Sequence, residues 1–242
     1  MLDLHLHILP GDDDGSLDEE MSLKMAEIAL LSGVDTVAAT PHANQMGRFE
    51  NFYGDRLAGK FESLRKLFRE KDISLRVLEG QEIMASVEMA ERIERGLLIG
   101  LNKTDRYLIE FPFSAEDWWI EDRLTEVLAL GKTPLAAHVE RYDAVIRDPL
   151  LIRKWRQMGC LIQVNRGSLF GRFGEGPFQA ADFLLRMDLV DCIASDAHGS
   201  DWRTPWLMDA YEAVADRFGA ERAARLLDIN PKRIVFGADI IR

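Results

Sequence analysis

The sequence predicts an α/β fold in which strands and helices alternate and a parallel sheet closes into a seven-stranded (β/α) barrel. Three observations point there. Seven short apolar stretches are separated by helical patterns along the 242 residues, which is the repetition of βα units. Each stretch delivers a polar residue at or just beyond its C-terminal end: His7, His42, Glu82, Glu110, His138, Asn165 and Asp196. No Pro/Ser-rich linker, internal repeat or low-complexity segment divides the chain, so a single domain over residues 1–242 is expected. An open doubly wound sheet is the competing architecture, but it offers a crevice only at its switch point. Barrel strands bring all their C-terminal ends to one face, and seven polar ends favour the barrel.

The expected strands cover residues 2–7, 34–39, 75–82, 106–111, 134–138, 160–165 and 190–195. In the first, Asp3, His5 and His7 alternate with leucines, the period of a half-buried strand, so both imidazoles face one side and can reach one ion. The helix that follows has a capping-box spacing at Ser16 and Glu19, a stripe of Leu17, Met21, Met25 and Ile28, and a stop at Gly33. The last strand runs into Asp196 and His198, two residues apart and again able to share one side.

All five histidines, His5, His7, His42, His138 and His198, sit in motifs crowded with carboxylates. Mixed imidazole and carboxylate donors suit zinc, manganese or iron, while two isolated cysteines are too few for a thiolate site. Cys160 and Cys192 each lie in an apolar run and read as reduced, buried residues. The formal charge of -11 argues against nucleic-acid binding, which needs clustered Lys and Arg. The 47% hydrophobic and 29% charged fractions are those of a globular protein with no membrane span, and a strand starting at residue 2 leaves no room for a signal sequence. A cytoplasmic location is expected.

Asp3-Leu4-His5-Leu6-His7-Ile8-Leu9-Pro10-Gly11-Asp12-Asp13-Asp14-Gly15-Ser16 resembles the opening motif of the polymerase-and-histidinol-phosphatase (PHP) superfamily. Thr40-Pro41-His42, Gly80-Gln81-Glu82, Leu108-Ile109-Glu110-Phe111, Ala137-His138-Val139-Glu140-Arg141-Tyr142, Gln163-Val164-Asn165 and Ser195-Asp196-Ala197-His198 resemble, in order and spacing, motifs of its capsule-associated branch. That branch comprises the manganese-dependent bacterial protein-tyrosine phosphatases of the CpsB/YwqE type. The resemblance implies a distorted TIM-like (β/α)7 barrel with three divalent metal ions, manganese first and iron or zinc as alternatives. By analogy His5, His7, Glu82 and Asp196 surround one ion. Glu82 bridges to a second, completed by Glu110 and His138, and Asp14, His42 and His198 hold the third. Asp14 is chosen within the triple-Asp run because it precedes Gly15, and Arg141 matches an arginine placed near the phosphate.

The implied function is hydrolysis of phosphotyrosine in protein, on the tyrosine-rich tail of a bacterial tyrosine autokinase that controls capsule or exopolysaccharide synthesis. Clustered divalent ions would lower the pKa of a bound water to give an attacking hydroxide and would neutralise the phosphoryl oxygens, with Arg141 as a clamp. A phenol leaving group, with a pKa of about 10, needs little help from a general acid. A small-molecule phosphatase acting on a compound such as histidinol phosphate, and a metal-retaining binding module without turnover, are the alternatives.

Other readings compete for particular residues. Cys160 and Arg166 have the C-x5-R spacing of cysteine-dependent phosphatases, but the residues between them are strand formers and would hold the two about 20 Å apart. Glu82 and Glu110 have a structural alternative as buried partners of Arg76 or Arg106. Phe49, Phe52 and Tyr53, Trp118 and Trp119, and Phe170 and Phe173 fall on expected loops at the active-site face, as candidates for a slot that takes a tyrosine ring. Arg48, Asn165 and Arg166 are candidate substrate contacts, and Arg172 lies on the same loops.

Overall fold

The computed structural model describes residues Met1–Arg242. It contains nine strands: β1 (Leu2–Leu6), β2 (Thr36–Ala39), β3 (His42–Ala43), β4 (Arg76–Glu79), β5 (Glu82–Met84), β6 (Arg106–Glu110), β7 (Thr133–Ala136), β8 (Leu161–Asn165) and β9 (Cys192–Ala194). They pair in parallel as β1-β2-β4 and β3-β5-β6-β7-β8-β9, with helices between successive strands except from β2 to β3 and from β4 to β5, so the α/β barrel class holds.

The count rises from seven to nine because two staves of the barrel are interrupted. The expected strand 75–82 divides into β4 and β5 at Gly80–Gln81, and β3 continues the line of β2 beyond Thr40–Pro41. Their register is unbroken, since Thr36 lies opposite Arg76 and His42 opposite Glu82, the same offset of 40. Pro41 has no N–H for a ladder. At Gly80 a Cβ would come within 2.9 Å of Leu101 Cδ2, so the chain is pressed there against the turn Leu101–Lys103. That turn packs on both β4 and β6, which do not pair with each other, and the sheet curls as a half-barrel at this end. Across the remaining seam, His7 N–H donates to Ala197 O and Asp196 N–H to His5 O, both at 2.9 Å.

The first strand is less regular than its alternation suggests. Asp3 lies opposite Val37 but Leu6 opposite Ala39, so β1 carries one extra residue, a bulge that resets which side faces inward. Leu2 and Leu4 pack inside with Ala38, Leu108 and Leu135, whereas Leu6 joins Val37, Met25 and Ala29 in the core beneath the helices. Ile234 and Val235, in the helix Asn230–Val235, complete the inner cluster.

The helix Glu19–Leu31 corrects another expectation. Its cap is Asp18, whose Oδ1 accepts from Met21 N–H at 2.8 Å. The Ser16 hydroxyl instead meets Ser22 Oγ and Asp18 O, so no Ser16–Glu19 box forms. The stop is as expected, with Gly33 at φ +80°. No helix is long and apolar enough to cross a membrane.

Candidate metal centre

The expected ligands converge at the C-terminal ends of the strands. β1 brings His5 and His7, β3 His42, β5 Glu82 and β6 Glu110. His138 and Asp196 stand just past β7 and β9 in left-handed backbone, at φ 35° and 50°. Non-glycine residues rarely adopt that region, and strain of this kind collects at functional sites, where the surrounding structure holds it. Asp14 and His198 complete the ring from loops. Seven of the nine line an open cavity of about 280 Å³, and His5 and His7 lie fully buried beneath it.

The ligand atoms fall into overlapping groups: His5, His7, Glu82 and Asp196; His7, Asp14, His42 and His198; and His42, Glu82 and Glu110. The first is the set expected from the sequence, and the second is the expected third set with His7 added. In the remaining group His42 takes the place given to His138. His138 is still close, with Nε2 at 2.8 Å from Glu82 Oε1 and 3.7 Å from Glu110 Oε1. His42 reaches both sides, Nε2 lying 3.3 Å from Asp14 and Nδ1 2.9 Å from Glu82.

These residues fit metal ions on the chemistry of their own atoms. Nε2 of His5 and Nε2 of His7 face each other at 3.3 Å. Glu82 Oε2 and Nδ1 of His42 are buried 2.9 Å apart, yet neither makes a hydrogen bond of sound geometry. Convergent lone pairs without donors are what a divalent cation satisfies, and buried polar atoms are otherwise costly to leave unpaired.

Electrostatics agree. Burial opposes the charge on Glu82, yet His5 and His42 hold its carboxyl well below the usual range. Burial and repulsion from Glu82 push Glu110 up to about 8. Burial pulls His42 down, but Glu82 and Asp14 outweigh it and raise the imidazole to about 10. Burial holds His138 at about 4.

Asp13, left unassigned in the triple-Asp run, has a defined place. Its Oδ2 accepts from Nδ1 of His7 at 2.7 Å and from His42 N–H at 2.9 Å, and Oδ1 accepts from Gly15 N–H at 3.0 Å. A Cβ on Gly15 would fall 2.3 Å from His7 Cβ, so only glycine allows the loop to press against β1 here. The Asp12 side chain is buried and paired with Arg56 at 2.8 Å.

Two arginines stand beside the cluster. Arg141 lies 3.4 Å from Asp196 Oδ2, and Arg203, which sequence reasoning missed, lies 2.5 Å from the same oxygen. The only sequence signal for Arg203 is its position in the loop just after Asp196 and His198. Of the other candidates, Arg48 lines the cavity mouth and pairs with Asp14 at 3.0 Å. Arg166 does not reach the cavity; it is buried against Asp209 in a two-pronged pair at 2.7 and 2.5 Å. Asn165 turns its Nδ2 to Asp196 Oδ2 at 2.6 Å and so supports a ligand from behind.

The rival readings separate cleanly. Glu82 and Glu110 meet histidines, while Arg76 stacks on Phe236 and Arg106 bonds Thr133. Cys160 and Arg166 lie at opposite ends of β8, and burial pushes the Cys160 thiol up to about 12. None of the seven aromatics expected in a ring-binding slot lines the cavity. Its apolar wall is Met84, Phe111, Pro112 and Phe113. Phe49 stacks on His42 at 5.7 Å, Trp119 packs edge-on against Phe111, and Phe173 contacts Arg141.

Imidazoles and carboxylates gathered at the strand ends of a parallel α/β barrel, with two arginines beside them, define a barrel protein with a cluster that could hold metal ions. Residues 1–236 match the family described as "Capsular polysaccharide synthesis, CpsB/CapC", and the chain belongs to that family. It is 32% identical to the tyrosine-protein phosphatase CpsB of Streptococcus pneumoniae over 240 residues, covering 97% of this chain and 98% of that one. It is 35% identical to the tyrosine-protein phosphatase YwqE of Bacillus subtilis over 224 residues, 91% and 86% of the two chains. A crystal structure from work on YwqE and CpsB, described there as unique metal-dependent tyrosine phosphatases, superposes with a TM-score of 0.92 at 32% identity, covering 100% of this chain and 97% of the other.

Proposed function

We propose that this chain is a metal-dependent phosphatase that hydrolyses phosphotyrosine in protein, as one catalytic unit over residues 1–242. The observation that carries the proposal is the double use of Asp196. Its Oδ1 faces His5, His7 and His198 at 3.5–3.6 Å while its Oδ2 faces Arg141 and Arg203, so the cluster and the anion-binding side meet at one carboxylate.

Three divalent ions, manganese first, would be held by His5, His7, Glu82 and Asp196; by Glu82, Glu110 and His138, with His42 at their edge; and by Asp14, His42 and His198. Bound there, they supply Lewis-acid polarisation and charge neutralisation for phosphoryl transfer. The chain's own residues do the rest. Arg141 and Arg203 bind phosphoryl oxygens at the cavity floor. Pro112 and Phe113 present an apolar wall on which a tyrosine ring can rest while its phosphate reaches the floor. Asp13 fixes the His7 ring so that Nε2 points inward, and Asn165 and Gln163 hold Asp196 and His5 in place. The phenolate departs readily enough, its conjugate acid having a pKa of about 10, that no strong general acid is required.

The family's description supports a role in capsular polysaccharide synthesis; within it we propose the cytoplasm as the place of action, capsule or exopolysaccharide synthesis as the process, and the tyrosine-rich tail of a tyrosine autokinase as the substrate. Metal-loaded protein should be compared on a phosphotyrosine peptide, a phosphoserine peptide and histidinol phosphate. Turnover confined to the first is expected. Preference for histidinol phosphate would make it a small-molecule phosphatase, and no turnover on any of the three would leave a binding module.

A further inference from the structure

Arg141 follows β7 and Arg203 follows β9, yet the two guanidinium groups reach the same oxygen of Asp196. Like charges gathered that closely repel, and Asp196 must also serve three histidines. Both groups contact one further residue. The ring of Phe173 lies with its centroid 4.3 Å from Cζ of Arg141 and 5.6 Å from Cζ of Arg203. Arg141 also touches Phe113 at 4.3 Å. Both Phe173 distances fall within the roughly 6 Å over which an aromatic quadrupole attracts a cation.

Phe173 does not line the cavity, and its contacts toward it are with the two arginines. Its seat is specific. An added Cβ on Gly167 would fall 2.6 Å from Phe173 Cε2, so the ring occupies the space that a side chain at 167 would need. The segment around Gly167 is anchored: Arg166 is locked to Asp209, Ser168 Oγ donates to Glu140 at 2.6 Å, and Arg172 N–H donates to Gly167 O at 3.0 Å.

We propose that Phe173 is a positioning residue that holds Arg141 and Arg203 as a paired clamp for a phosphoryl group, and that Gly167 is required to seat its ring. The proposal rests on reading the cavity as a phosphate site.

The test uses the full-length, metal-loaded chain with three variants: Phe173→Leu, which keeps bulk but not the ring; Phe173→Tyr, which keeps the ring; and Gly167→Ala, which displaces the ring without altering it. Two quantities are read, kcat/KM on a phosphotyrosine peptide and the dissociation constant of inorganic phosphate by calorimetry, with metal content checked for each protein. Loss of a cation–π contact is worth about tenfold in binding. Phe173→Leu and Gly167→Ala should therefore lose about tenfold in both quantities at unchanged metal content, and Phe173→Tyr should recover most of the loss. The proposal is overturned if Phe173→Leu matches the parent protein, or if Phe173→Tyr falls as far as Phe173→Leu. A parent that binds phosphate without turning over the peptide would overturn the phosphatase reading, while the phosphate constants would still decide the role of Phe173.

Discussion

Asp13 Oδ2 accepts a hydrogen bond from Nδ1 of His7 at 2.7 Å, and this pair fixes both the tautomer and the direction of the most central imidazole in the cluster. Nε2 is left bare and points at His5, Glu82 and Asp196. Carboxylates in this supporting position are typically worth 10- to 100-fold in metal affinity. Asp13→Asn should weaken manganese binding by about that factor, measured by titration against a fluorescent chelator. Unchanged affinity would show that Asp13 only shapes the loop.

Metal uptake should depend on pH. Ligand atoms bind ions only when deprotonated, and the cluster raises His42 to about 10 and Glu110 to about 8. For both groups protons compete with the ion below the raised pKa and release it from competition above, so affinity should climb as the pH rises from about 6 to 8. Calorimetry in buffers of different ionisation heat should detect protons released on binding. An affinity that does not change with pH contradicts the electrostatics described.

Cys160→Ser should leave phosphatase activity within about twofold of the parent, because the thiol is buried at the far end of β8 from Arg166. A modest loss of stability, about 1–3 kcal/mol, is expected from placing a hydroxyl in an apolar site. Initial rates and thermal unfolding on the same preparation separate the two effects.

Glu79 holds the β4 end of its stave to neighbouring elements through Tyr53 at 2.7 Å, Arg65 at 3.0 Å and Lys103 at 3.1 Å. Burial pushes its carboxyl up, but those partners outweigh it and hold the pKa below the usual carboxylate value. A depressed folded pKa gives stability that is present above the unfolded value of about 4.3 and lost as pH falls through the folded one. Glu79→Gln should therefore cost about 1–2 kcal/mol at neutral pH and progressively less below about pH 4, as followed by urea unfolding across that range.

Much of the candidate site is legible because most of its residues end short apolar runs, so His5, Glu82 and Asp196 stand out as polar ends of buried strands. What local pattern hides is set by long-range packing. The bulge in β1 is invisible in a perfect alternation of leucines, since it arises from pairing with β2. The break at Gly80 depends on Leu101, 21 residues further along the chain. Asp13 and Asp14 look alike in the sequence, and only the fold gives one to His7 and the other to His42 and Arg48. Of the aromatic residues expected on loops, Trp118 and Trp119 instead begin the helix Asp117–Ala129 and Phe170 ends the turn Arg166–Phe170, and none of the seven lines the cavity, because the direction a ring takes is set by packing that its sequence signature does not carry. Arg166 failed as a substrate contact for a similar reason: its partner Asp209 is 43 residues away.

Removing and restoring metal tests the central claim most directly. The chain is stripped with a chelator, its metal content is measured, and hydrolysis of a phosphotyrosine peptide is followed before and after manganese is returned. Loss of activity on stripping and recovery on adding manganese, with neither seen in Asp196→Ala, is the predicted result. Hydrolysis at the full rate by protein shown to be free of metal would contradict it.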